Sequence, residues 1–118
     1  MKVGIDYWNT ISHNAEVFRE LAAALLLAGH EVYVVTAVGH RRKHTVLDEI
    51  AALRVPQTGV RMVVFDHPRE APRLKHEVCQ ELGIALFFDD REDTCRYLRE
   101  RGIVACHVLK ERVTVGLA

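Results

Sequence analysis

Residues 30–37 read "HEVYVVTA". β-branched and aromatic residues follow one another there with no polar break. A strand with one wet face alternates apolar and polar residues. An unbroken run is a strand buried on both faces, and such strands belong to parallel sheets covered by helices on each side. Upstream, "NAEVFRELAAALLLAG" (14–29) repeats Val17, Phe18, Leu21, Ala24, Leu25 and Ala28 at three- and four-residue steps, the period of an amphipathic helix. Ser12 or Asn14 suits its start and Gly29 its end. Before it, "KVGID" (2–6) reads as a short buried strand.

The same alternation continues downstream. "KHTVLDEIAALRV" (43–55) predicts a helix stopped before Pro56, and "GVRMVVFD" (59–66) a third strand. "PRLKHEVCQELG" (72–83) predicts a helix ended by Gly83, and "IALFFDD" (84–90) a fourth strand. "REDTCRYLRERG" (91–102) predicts a helix ended by Gly102, and "IVACHVL" (103–109) a fifth strand. The tail (110–118) suits an added edge strand, a dimer contact or a disordered end. Strand and helix in turn, with short connections, mean right-handed crossovers. The expected fold class is α/β, a three-layer α/β/α sandwich around a five-stranded parallel Rossmann-like sheet. The expectation is that residues 1–118 make one domain, with no cap domain.

Composition narrows the function. The 118 residues are 49% hydrophobic and 27% charged, as in a folded globular chain. Formal net charge is zero, so no polybasic field points to nucleic acid. The three cysteines, Cys79, Cys95 and Cys106, contain no Cys-x-x-Cys pair and suggest a reduced, cytoplasmic protein. The apolar stretch "LAAALLLAG" is too short to span a bilayer. Homo-oligomerisation stays open.

Open parallel sheets bind ligands at the carboxyl ends of their strands. Here those ends deliver Asp6, Thr36, Asp66, the pair Asp89–Asp90, and a residue near His107. Carboxylates gathered at one edge repel and call for a cation, a shared proton or a basic neighbour. All-oxygen ligands favour Mg²⁺ over zinc. Lys75 can bring positive charge to that edge, with Arg73 as its rival. Asp93 suits either a water-mediated metal contact or the first turn of its helix.

These motifs, in this order, resemble the haloacid dehalogenase-like (HAD) superfamily, mostly phosphohydrolases. The first motif stands as Asp6-Tyr7-Trp8-Asn9-Thr10, the second as Thr36 in "VYVVTA", the third as Lys75, and the fourth as "ALFFDD". The likeness runs from residue 2 to about 109 and is nearest to small capless members related to nucleotidases. It implies strand order 5-4-1-2-3. It implies that Asp6 is a nucleophile forming an aspartyl-phosphate, and that Mg²⁺ is bound by Asp6, the Trp8 carbonyl, Asp90 and Asp89. Thr36 and Lys75 would hold the phosphoryl oxygens of a small phosphorylated molecule. Asn9 and Thr10, in the turn after the nucleophile, would help to cradle it.

One position departs from the family. Its phosphatases carry a second Asp where Trp8 stands, to protonate the leaving oxygen and activate water. Indole is a donor only and does not titrate usefully. Acid–base help is typically worth about 10²–10⁴-fold. The expectation is therefore a hydrolase of reduced activity, or one using a substitute acid such as His13, His40 or His67, or a good leaving group. The alternatives are a catalytically inactive binding protein, or a dehalogenase, whose relatives carry an aromatic there but need a cap. The "HRRKH" cluster (40–44) suits a substrate phosphate or simply a solvated face.

Overall fold

The computed structural model describes residues 1–109. The expected tail strand or dimer contact lies outside the described residues. Five strands, β1 Lys2–Ile5, β2 Glu31–Gly39, β3 Gly59–Phe65, β4 Leu86–Asp89 and β5 Val104–His107, form one sheet in the order β3-β2-β1-β4-β5. Every pairing is parallel. This is the expected order, 5-4-1-2-3, read from the other edge. Four helices connect the strands: α1 Ala15–Leu27, α2 Val46–Ala52, α3 Ala71–Leu82 and α4 Glu92–Arg99.

Strand alternation divides the core between two layers. Val32 and Val34 of β2 join Val3 and Ile5 of β1, Phe18 and Ala22 of α1, and Val46 and Ile50 of α2. Val35 faces the other way, towards Val78 and Cys79 of α3 and Cys95 and Leu98 of α4. The reading of "VYVV" as buried on both faces thus corresponds to a helical layer on each side. Gly4 is required by close approach: a Cβ there would sit 2.5 Å from the Phe87 ring on the neighbouring strand. Gly83 ends α3 with a φ of 77°, which a larger residue adopts only under strain.

Two boundaries differ from expectation. β2 runs on past Thr36 to Gly39, because β3 pairs with it along its whole outer length, up to Gly39 opposite Phe65. The helix expected over 43–55 shortens to α2 after a tight turn at Arg42–His44. Thr45, at φ −119° and ψ −23°, stands between them as the N-cap residue of α2.

Candidate functional site

β1 is the central strand, and Asp6 follows its last residue. The Asp6 backbone N–H still donates to the Phe88 carbonyl at 2.9 Å, so β4 holds it in place. Its side chain is 4% exposed. Lys75 Nζ donates to Asp6 Oδ1 at 2.8 Å and to Asp89 Oδ2 at 2.6 Å. Thr10 Oγ1 donates to Asp6 Oδ2 at 3.1 Å. The Arg91 backbone N–H donates to Asp89 Oδ1 at 3.0 Å. Both oxygens of each aspartate therefore have partners.

Helical periodicity explains how a lysine comes to be buried. The residues of α3 that face the core are Ala71, Pro72, Lys75, Val78 and Cys79, a stripe at steps of three and four. Lys75 occupies the core-facing position one turn into the helix, 3% exposed. Arg73, its rival, lies off that stripe and pairs with Glu70 and Glu77 at the surface.

The carboxylates of Asp6, Asp89 and Asp90 come within 4.8 Å of one another. Three acidic groups thus face one ammonium. Burial pushes Asp6 up to about 7. Lys75 opposes that rise, while the Asp89 and Asp90 charges add to it. Burial also raises Asp90, with the Asp89 charge adding to it. Burial works to lower Lys75, but the Asp6 and Asp89 charges outweigh it and hold the amine above its usual value. Lys75 is a fixed cation, and the excess negative charge remains on the Asp6–Asp90 side. His107 Nε2 lies 2.9 Å from the Asp90 carbonyl and holds that backbone from β5.

Above these groups opens a cleft of about 420 Å³, lined among others by Asp6, Trp8, Asn9, Lys75, Asp90 and Arg91. Trp8 is 52% exposed, so it is no core filler. The Arg42 guanidinium lies over its ring, 4.8 Å from the centroid, and its Nη2 donates to both carboxylate oxygens of Glu49, at 3.0 Å to Oε1 and 2.9 Å to Oε2.

In sequence, the chain is similar to an acid phosphatase. It is 25% identical over 104 residues to the class B acid phosphatase of Salmonella arizonae. That match covers 87% of this chain and 44% of the enzyme, so the chain spans less than half the length of its curated relative. No protein-family model matches the sequence. In structure, it is similar to a protein of the universal stress protein family from Burkholderia pseudomallei. The TM-score is 0.64 at 18% identity, over 91% of this chain and 94% of the other. That likeness shows the fold, a doubly wound parallel sheet, and fold alone does not carry function.

The expected site residues separate into three groups. Asp6, Lys75, Asp89 and Asp90 come together, and Trp8 and Asn9 line the same cleft. Thr10 is fully buried with its hydroxyl on Asp6, which orients the carboxylate. Asn9 takes a left-handed φ of 62°, which asparagine tolerates, and its N–H donates to Ser12 Oγ at 2.8 Å. That amide is therefore engaged within the turn. Thr36, expected to hold phosphoryl oxygens, is a buried mid-strand residue that does not line the cleft with Asp6 and Lys75; β2 runs on past it, and it faces the adjoining notch with Tyr7 and Arg42.

Others fall outside. Asp66 is exposed and accepts or shares a proton with His40 at 2.7 Å. His67 caps a turn through Nδ1, and His13 is exposed; none of the three histidines lines the cleft. Asp93 pairs with Arg91 and caps its own helix turn at Thr94. Sequence reasoning missed Arg91 and Phe65, both in the cleft wall. The signal for Arg91 was its place directly after the aspartate pair; Phe65 resembled any other apolar strand residue. Among the described residues, no helix is long and apolar enough to cross a membrane.

Proposed function

We propose that this protein is a phosphatase-type hydrolase of HAD-like mechanism, acting on a small phosphorylated molecule with Asp6 as nucleophile. The observation that carries this reading is the buried Asp6 at the end of the central strand, oriented by Thr10, neutralised by Lys75 and opening on a cleft with Asp90. The distant likeness to an acid phosphatase supports it.

An Asp6 carboxylate oxygen attacks phosphorus as the ester P–O bond breaks, leaving an aspartyl-phosphate, and the departing oxygen keeps the electron pair of the broken bond and takes a proton from solvent. Water then attacks that phosphorus and gives up a proton to solvent, the acyl P–O bond breaks with its electron pair returning to the carboxylate, and Asp6 is restored. Lys75 stays protonated throughout and holds Asp6 in line, while Arg91 at the rim attracts the phosphoryl charge. The donor set suits Mg²⁺: oxygen atoms only, with more negative charge than Lys75 balances. Asp6, Asp90 and the Trp8 carbonyl would hold it, with Asp89 fixing Lys75 beside them. Bound there, Mg²⁺ would shield the charge of the incoming phosphoryl group.

A second reading, a binding protein without turnover, is favoured by Trp8, which offers no proton to a leaving group. Phosphate release from a panel of esters with Mg²⁺ separates the two. The hydrolase reading expects turnover that Asp6→Asn abolishes. Silence in the native protein together with activity in Trp8→Asp would establish the binding reading. Mg²⁺ at a hundredfold its dissociation constant should stabilise the native fold by about 2.7 kcal/mol. Asp90→Asn should abolish that gain in a thermal melt.

A further inference from the structure

The cleft does not stop at the carboxylates. On the other side of Trp8 and Phe65 lies a notch of about 130 Å³, lined among others by Val38, Gly39, Val46 and Arg42. Trp8, Ala37 and Phe65 line both spaces, so the two adjoin across these residues. A dry cavity of about 150 Å³ is enough to take up benzene. The walls are mostly apolar, with three aromatic rings among them, those of Tyr7, Trp8 and Phe65. Thr36, Tyr7 and Arg42 supply its polar groups, and Nη2 of that arginine is held by Glu49.

Leaving-group chemistry points the same way. An alkoxide is about as basic as hydroxide, whose parent water has a pKa near 15.7. It needs a proton as it departs, and Trp8 has none to give. A phenol ionises near 10, so an aryloxide departs with the electron pair of the broken P–O bond and takes its proton from solvent afterwards. The residue that removes the acid is thus also a wall of the apolar notch.

We propose that this site takes small aromatic phosphate monoesters, the ring seated in the Trp8–Phe65 notch and the phosphoryl group against Asp6. The inference rests on the phosphoryl-transfer reading above. It adds what stands on the far side of the ester oxygen.

Non-hydrolysable probes test it without relying on turnover. Phenylphosphonate and methylphosphonate share a phosphoryl head and differ in the ring. Their affinities for the full chain, in millimolar Mg²⁺, are read by calorimetry. Trp8 is the single tryptophan, so its fluorescence reports occupancy of the notch. Stacking and burial of one ring are expected to give phenylphosphonate an advantage of about tenfold or more, with quenching of Trp8. Phe65→Ala should shrink that ratio towards one. Gly39→Val fills the notch instead of emptying it, and should shrink the ratio as well; a Cβ at Gly39 meets only the Phe65 ring, at 3.6 Å. Equal binding of the two phosphonates overturns the aromatic inference and leaves the phosphoryl site standing. An advantage that survives in both variants also overturns it, because the ring then sits elsewhere. Failure of both probes to bind the native protein overturns the phosphoryl reading, and this inference with it.

Discussion

Asp6 and Asp66 each follow an apolar strand, β1 and β3, and in the sequence "VGID" and "VVFD" look alike. Their surroundings differ completely. Asp66 ends an edge strand; its side chain is 88% exposed and meets His40 at the surface. Asp6 ends the central strand, is covered by β2 and β4 neighbours, and is gripped by Lys75 and Thr10. The difference teaches that the strand-end aspartate acquires its chemistry from its place in the sheet. A central position lets helices and strands on both sides bring charges to it, while an edge position gives it to water.

The strongest way to break this comparison is to remove the cation from one aspartate and the partner from the other. Lys75→Met leaves Asp6 and Asp89 buried without their counter-ion, and should cost about 3–5 kcal/mol in urea unfolding. A loss under about 1 kcal/mol would mean that Asp6 is no more dependent on its surroundings than Asp66.

Acidity sharpens the comparison next. Asp6 is pushed up to about 7 by burial, against an ordinary value of 3.8. A carboxyl raised in the folded state binds its proton more tightly there than in the unfolded chain. Its contribution to stability therefore grows as pH falls through about 7 towards about 4, and is lost as pH rises. In chelator, with no divalent cation present, native stability relative to Asp6→Asn should decline with rising pH across that window. The slope is at most about 1.4 kcal/mol per pH unit. A flat difference would place Asp6 in ordinary carboxylate surroundings.

Asp66→Asn supplies the small end of the scale. An exposed pair with His40 contributes little, so the variant should stay within about 0.5 kcal/mol of native in the same unfolding measurement. Thiol chemistry offers a measure of depth for the α3–α4 layer. Burial pushes Cys79 and Cys95 up to about 12, whereas Cys106 is exposed. A thiol reagent at neutral pH should titrate Cys106 in the folded protein and all three after denaturation.

Sequence periodicity carried much of the architecture. The unbroken β2 run, the three- and four-residue steps of α1 and the glycines after α1, α3 and α4 are local signals, each with its own backbone or burial reason. Strand order came instead from the motif resemblance, since no local pattern states which strands lie side by side. Of the site, Asp6, Lys75, Asp89 and Asp90 were legible because carboxylates at the ends of apolar strands, and a lysine near the start of a helix, are anomalies that ask for a partner.

What the sequence determined by itself was which residues are buried by period and where the chain reverses. Those depend on neighbours a few positions away. Only the tertiary structure decided that Asp66 faces water while Asp6 does not, that Thr10 serves Asp6, and that Trp8, Phe65 and Arg42 enclose a notch beside it. These relations join residues from separate strands and loops. They exist only once parallel pairing has set β1 between β2 and β4, because that pairing brings the ends of distant segments to one edge.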